Sequence, residues 1–316
     1  MAANDERFTD YDLMVRIAWL YYIDHMTQHD IAKQYGITRI KVQRILRDAE
    51  QNNIITISIQ NPFYNLLHIE RDIIDRFGLR DAVVVPSQGL HLEQDLAKAG
   101  AIYLSRKLLS NVKSIGIGAG RTLSHLGASF ATIFQEKTEN IPYVVSLQGV
   151  LSHDATWSSM DNGQSVAQAI GAPFFGIWAP CSAQTVDDVE LLKNQKMIKN
   201  ALEMANDAEV KVISVGSIDE HGFLYSTNVL DSFDVQLLKS KGVCGEILLH
   251  LYDSNGNMLD DDLSRRSISV DIPIQKGVVI CIAGGKHKHA SIKAVLQGKQ
   301  ISVLITDYDT AQYLLE

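Results

Sequence analysis

The chain has 316 residues, 46% of them hydrophobic, which is enough for one small and one large folded domain and excludes disorder as its default state. Its net charge of −8 excludes a uniformly basic nucleic-acid binder, so any DNA contact must be local. No apolar run approaches the ~20 residues of a membrane span, and the acidic start MAANDERFTDYD does not read as a secretory signal, so a cytoplasmic protein without membrane partners is expected.

Near the N-terminus, Leu13, Ile17, Leu20 and Tyr21 recur at spacings of three and four, which predicts an amphipathic helix from Asp12 to Ile23. Thr27 then offers an N-cap, with Asp30 in the place of the acidic arm of a capping box, and QHDIAKQY follows as a short helix. Gly36 is suited to a left-handed helix end, Ile37 to plugging the space between helices, and Thr38 to capping RIKVQRILRDAEQNN. Two short helices around a glycine turn predict a helix-turn-helix.

Between Gly36 and Arg47 there are four basic residues and no acidic one, although the first 60 residues as a whole carry 7 basic and 8 acidic side chains. The candidate DNA-binding residues are Thr27, Gln28, Thr38, Arg39, Lys41, Gln43, Arg44 and Arg47. Arg and Gln suit guanine and adenine edges in the major groove, whereas Thr38 and Lys41 suit phosphates. IITISIQ, from Ile54, reads as a strand that could form a small wing.

Tyr64 to Phe77 reads as a linker helix with an apolar stripe of Leu66, Leu67, Ile69, Ile73, Ile74 and Phe77, which docks on its own domain or on a second subunit. The runs DAVVVPS, VKSIGIGAG, IPYVVSLQG, FFGIWAP, EVKVISVGS, GVVICIAGG and ISVLITD then alternate with helical stretches. Apolar strands of this kind predict an α/β fold with a mostly parallel sheet. Residues 1–60 are thus expected to form the DNA-binding domain and 61–316 an effector and oligomerisation domain, with 61–78 as linker.

In such sheets ligands gather at the carboxyl ends of strands. GIGAGRTL supplies Gly116, Gly118, Ala119, Gly120, Arg121 and Thr122 after one strand, where backbone N–H groups and a helix start suit an anion. The stretch lacks both the G-x-G-x-x-G spacing of dinucleotide folds and the G-K-[ST] ending of a Walker loop, so neither NAD nor ATP is expected. Gln148 and Gly149 follow a second strand, and Asp161 and Asn162 come a dozen residues later. IAGGKHKHASI adds Lys288 after a third strand, and Asp307 stands at the tip of the last. Glycines, a lysine and carboxylates together suit a small polyhydroxylated anion.

Cys181, Cys244 and Cys281 lack C-x-x-C spacing, and His287 and His289 lack a further ligand, so no metal and no cofactor is expected. The competing reading is an isomerase or deaminase using Asp307, Glu246, His287 and His289 as acid and base. An architectural DNA-binding protein without a ligand is disfavoured by the share of the chain given to the acidic α/β part.

From Asp12 onward the chain resembles the SorC family of sugar-responsive transcriptional regulators. The resemblance rests on IAWLYYIDHMTQHDIAKQYGITRIKVQRILRDAEQNNIITISI, GIGAGRTL, GVCGEILLHLYDSNG, IAGGKHKHASIKAVLQG and ISVLITDYDTAQYLL in that order. It implies an effector domain similar to sugar-phosphate isomerases and deaminases, a phosphorylated sugar or sugar alcohol as effector, operator double-stranded DNA as partner, a homodimer or homotetramer, and no catalysis. It also implies a phosphate loop at Gly118, Gly120, Arg121 and Thr122, the lysine of a GG-x-x-K motif at Lys288, and the last-strand acid at Asp307. Where relatives commonly read Gly-Asp-Ile, this chain has Gly245, Glu246 and Ile247, one methylene longer, so the accepted sugar does not carry over.

Overall fold

The computed structural model describes residues 9–52, 54–55, 64–87, 91–108, 112–133, 142–151 and 159–316. It divides into two compact units, Met1–Tyr64 and Asn65–Glu316.

In the first unit, α1 (Asp10–Tyr22) starts two residues before the sequence reading placed it. The Thr9 hydroxyl accepts from the Asp12 N–H while the Asp12 carboxylate accepts from the Thr9 N–H, a full capping box that fixes the start. Helix α2 (Gln28–Tyr35) is capped by the Thr27 hydroxyl and ends at Gly36, whose φ of 64° is left-handed. The Thr27 hydroxyl donates to the Asp30 carboxylate at 2.6 Å, and with no Thr27 N–H bond to Asp30 among the described residues the box proposed there is only half formed. Helix α3 (Arg39–Gln51) is capped by Thr38, whose hydroxyl accepts from the Lys41 N–H at 3.2 Å. Ile17, Ile31, Val42, Leu46 and Ala49 form the buried centre, with Ile37 packed at its edge. Each large aliphatic chain buried this way contributes roughly 1.5–3 kcal/mol. Of the proposed wing, Ile54 and Ile55 pack against this centre, and residues 56–60 lie outside the described residues.

The second unit begins with α4 (Tyr64–Phe77), whose Leu66 and Ile73 are buried against their own unit while Leu67 is exposed. Its strands are β1 (Asp81–Val85), β2 (Ser114–Ile117), β3 (Tyr143–Ser146), β4 (Phe174–Phe175), β5 (Val210–Ile213), β6 (Gly216–Ser217), β7 (Gly245–Ile247), β8 (His250–Tyr252), β9 (Val278–Ile282) and β10 (Val303–Asp307). The helices between them are α5 (Leu92–Leu108), α6 (Arg121–Ser124), α7 (Leu126–Ile133), α8 (Ser159–Ile170), α9 (Val186–Lys193), α10 (Lys196–Asn206), α11 (Phe223–Ser226), α12 (Ser232–Ser240), α13 (Asp262–Arg265), α14 (His289–Gln297) and α15 (Tyr308–Leu315).

Seven strands form a parallel sheet in the order β1-β10-β9-β5-β2-β3-β4. Alternate residues of each strand enter opposite cores: Ile117, Val212, Ile282 and Ile305 meet α5, α7 and α8, while Ile213, Cys281 and Leu304 meet α10, α14 and α15. Both faces are covered, which is why these strands read as unbroken apolar runs. Cys181 and Cys281 are buried free thiols, pushed up by burial to about 11 and about 12.

A second, antiparallel sheet of order β6-β7-β8 was not anticipated from the strand pattern, because strands of two or three residues leave no periodicity to read. The β7–β8 hairpin turns through Leu248 and Leu249 at φ of 52° and 70°. Two-residue turns of this hand ordinarily use Asn-Gly, and each leucine costs roughly 1–2 kcal/mol in that conformation. Burial of both leucines offsets the cost, as do the Leu249 N–H donating to Glu246 Oε2 at 2.9 Å and the Ser267 hydroxyl donating to the Leu248 carbonyl at 3.0 Å.

Lys211 lies fully buried on β5, its Nζ donating to the carbonyls of Ala208 at 2.7 Å and Lys276 at 2.8 Å. Burial lowers its pKa from 10.5 to about 8. The unfolded chain therefore binds more protons between about pH 8 and 10.5, and this residue makes stability rise with pH across that window. Urea titrations at pH 8 and pH 10 should show a gain that Lys211→Met lacks, by about 2 kcal/mol. Equal pH dependence in the two proteins would refute the assignment.

Candidate functional site

The described DNA-reading candidates gather at one end of the first unit. Thr38, Arg39, Lys41, Gln43, Arg44 and Arg47 are all exposed on α3 or its cap. Gln28 opens α2 and approaches Arg39, whose Nε lies 3.5 Å from Gln28 Oε1. Thr27 has its hydroxyl engaged in both directions by Asp30, so it serves the helix cap rather than a phosphate. Thr38 accepts one N–H and keeps its hydroxyl proton to donate outward. Arg44 is loosely paired with Asp48 at 3.9 Å on the solvent side, a contact worth little and easily exchanged.

In the second unit, the chain runs from β2 outward to β3 and β4, then returns to the other side of β2 with β5 and continues to β9 and β10. The β2/β5 boundary is thus the point where the winding reverses, and crevices form at the carboxyl ends of such strands. Gly118, Ala119 and Gly120 follow β2 there, Ser214 follows β5, and Gly284 to Lys288 follow β9. A cleft of roughly 360 Å³ beside these loops is lined by His91, Leu92, Glu93, Gln94, Thr122, His125, Gly284, Gly285, His287 and Lys288.

The glycine loop is braced from below. Gly118 donates its N–H to the Val212 carbonyl at 2.9 Å. The buried Asn162 side chain on α8 donates to the carbonyls of Gly118 at 3.2 Å and Gly120 at 3.4 Å, so Asn162 supports the loop, while the neighbouring Asp161 is half-buried. Among the described residues no protein acceptor faces the N–H groups of Ala119, Gly120, Arg121 or Thr122. Helix α6 has only four residues, so the loop N–H groups rather than a helix dipole would meet an anion, a correction to the sequence reading. Gly116 lies within β2, where a Cβ would stand 2.3 Å from Leu147 Cδ2, so it is a packing glycine.

Lys288 is 7% exposed, and its Nζ finds the Ser214 hydroxyl at 3.5 Å as its polar partner among the described residues. Burial lowers its pKa, and the nearby Arg121 guanidinium lowers it further. Arg121 itself is held by Glu93 at 3.5 Å and donates to the His221 carbonyl at 2.8 Å. Glu246 is buried with its pKa raised by desolvation, against the Leu249 N–H bond and the Lys288 charge, which lower it.

Two sequence candidates do different work. Asp307 accepts from Ser87 Oγ at 3.0 Å, Gly285 N at 2.8 Å, Thr310 N at 3.1 Å and Thr310 Oγ1 at 2.6 Å, which occupies both oxygens fully. Burial raises its pKa, but these bonds outweigh that and hold it below the usual carboxylate range. It caps α15 and ties three segments together, leaving no lone pair for a sugar hydroxyl. Gly149 donates its N–H to the Ile268 carbonyl at 2.8 Å, and a Cβ there would stand 2.4 Å from the Ala179 carbonyl oxygen. It too is a packing residue. Gln148, buried beside it, bridges in antiparallel fashion to Ser269. His91, Glu93, Gln94, His125 and Ser214 were not singled out from sequence; Ser214 alone directly follows a strand, the one signal that could have found it.

Residues 61–316 match the family model described as "Putative sugar-binding domain". Over 98% of this chain and 100% of the other, the fold matches the full-length sorbitol operon regulator SorC from Klebsiella pneumoniae, with a TM-score of 0.73 and 26% identity. The chain belongs to the SorC family. Among curated relatives it is 29% identical over 311 residues to the erythritol catabolism regulatory protein EryD of Brucella abortus, covering 97% of each protein. It is 26% identical over 321 residues to the transcriptional regulator LsrR of Escherichia coli O139:H28, covering 99% of this chain and 98% of that one. A DeoR family transcriptional regulator from Listeria monocytogenes shares the fold over 79% of this chain and 99% of its own, with a TM-score of 0.71 at 21% identity.

Proposed function

We propose that this SorC-family chain is a cytoplasmic transcriptional regulator: residues 1–60 bind operator double-stranded DNA, and residues 61–316 hold a phosphorylated sugar or sugar alcohol that controls the binding. The single observation that carries the effector reading is the presence, at the carboxyl ends of neighbouring strands, of a buried Lys288 whose polar partner among the described residues is Ser214 at 3.5 Å and of N–H groups from Ala119 to Thr122 that meet no acceptor among the described residues. A phosphate would satisfy both. The polar side chains nearby, Gln94 and the half-buried His125, suit hydroxyls. Relatives named for erythritol catabolism and a sorbitol operon support a polyol.

Binding without turnover fits the same geometry. Asp307 has both oxygens engaged and Glu246 is tied to its own hairpin, so two of the four acid–base candidates are occupied elsewhere. A homodimer or homotetramer is the form proposed to read two half-sites. Tyr11, Val15 and Trp19, exposed at four-residue spacing on α1, and Leu67 on α4 supply apolar surface for it.

The test is a thermal-shift screen of phosphorylated and unphosphorylated polyols, followed by binding of the protein to its own promoter with and without the best ligand. Phosphorylated compounds alone should stabilise, by about 2.7 kcal/mol at about 100 times Kd. Arg44→Ala should weaken promoter binding about tenfold and relax the base preference at one position, with the ligand shift intact. Conversion of any hit at an appreciable rate would sink the sensor reading.

A further inference from the structure

Ile40 is 79% exposed, more than any other exposed large hydrophobic residue among the described ones. It is the second residue of α3 and lies one turn before Gln43 and Arg44 and two turns before Arg47, on the side opposite the buried Val42. A branched aliphatic chain in water on a polar helix face has no stabilising role in the first unit, whose centre it does not touch. Its neighbours on this face are cationic or amide-bearing, so the surface complements a polyanion and not an apolar protein patch.

We propose that Ile40 is a specificity-determining residue that packs against the C5-methyl group of a thymine in the major groove. This rests on the DNA-reading function proposed above and adds to it the base class read at one position. The residues at the start of a recognition helix meet base edges, and the thymine methyl is the one apolar feature there. Arg44 and Gln43, which follow on the same face, would hold the flanking base edges by hydrogen bonds, and Ile40 would supply discrimination that those bonds do not.

The test uses the full-length protein. A randomised duplex library is enriched by binding, and each thymine of the selected site is then replaced singly by deoxyuridine, which removes only the methyl group. Wild type should lose about fourfold in affinity at one thymine per half-site. Ile40→Ala should be indifferent to that replacement, with a melting temperature unchanged because the side chain is exposed, and Ile40→Val should keep the preference. Enrichment of a defined site with equal loss in wild type and Ile40→Ala, or with no loss at any thymine, would overturn the assignment while leaving the DNA-reading function standing. Failure to enrich any duplex would overturn both.

Discussion

Replacing Lys288 by Met is expected to raise the melting temperature of the ligand-free protein and to abolish its stabilisation by phosphorylated sugars. The ammonium is buried, and desolvation lowers its pKa, so the charge burdens the folded state relative to the unfolded one. Met retains the length and apolar stem while removing that burden, for a gain of about 1–3 kcal/mol near neutral pH. The sign follows from linkage: wild type itself gains stability as pH rises from the lowered value toward 10.5, so the advantage of the variant should shrink over that range. Calorimetry with a phosphorylated polyol should register no binding heat for the variant. A retained response would remove Lys288 from the effector site, and a lowered melting temperature would mean that the ammonium is better satisfied than its 3.5 Å contact with Ser214 implies.

Gly149→Ala is expected to have the largest effect on folding, a loss of about 3 kcal/mol or more, although the residue stands next to a strand tip. The added methyl would lie 2.4 Å from the Ala179 oxygen and 2.5 Å from the Pro180 oxygen, both backbone atoms with no rotamer to yield. The same stretch is locked by the Val150 N–H donating to the Ala179 carbonyl at 2.7 Å and the Val150 carbonyl accepting from the Cys181 N–H at 2.8 Å. Chemical denaturation should show the loss equally with and without ligand. A variant of wild-type stability that binds sugar phosphate weakly would instead return Gly149 to the pocket.

Much of this architecture is visible in the residue order because its signals are local. Thr27, Gly36 and Thr38 mark helix ends by hydrogen bonding and backbone hand, and runs such as VLITD and VVICI declare strands covered on both faces. The strand-tip loops follow from that alternation, which is how Gly118, Thr122 and Lys288 could be singled out. What the order of residues hides is which hydrogen-bonding capacity is already spent. Asp307 reads as a free acid at a strand tip, yet it accepts from Ser87 and Gly285 in two distant segments and twice from Thr310 in its own helix cap. Asn162 reads as a ligand contact but spends its amide on the loop carbonyls. The contributions of His91 and Glu93 to the cleft depend on α5 reaching the β9 loop, a meeting across almost two hundred residues that no short-range pattern encodes.

The leucine turn has a mechanical corollary. Leu248 Cδ2 would stand 3.3 Å from a Cβ on Gly118, so the hairpin tip lies close to the loop after β2, and Glu246 fastens that tip from within. A side chain larger than glycine at position 118 would therefore press on the hairpin tip from the side of the loop.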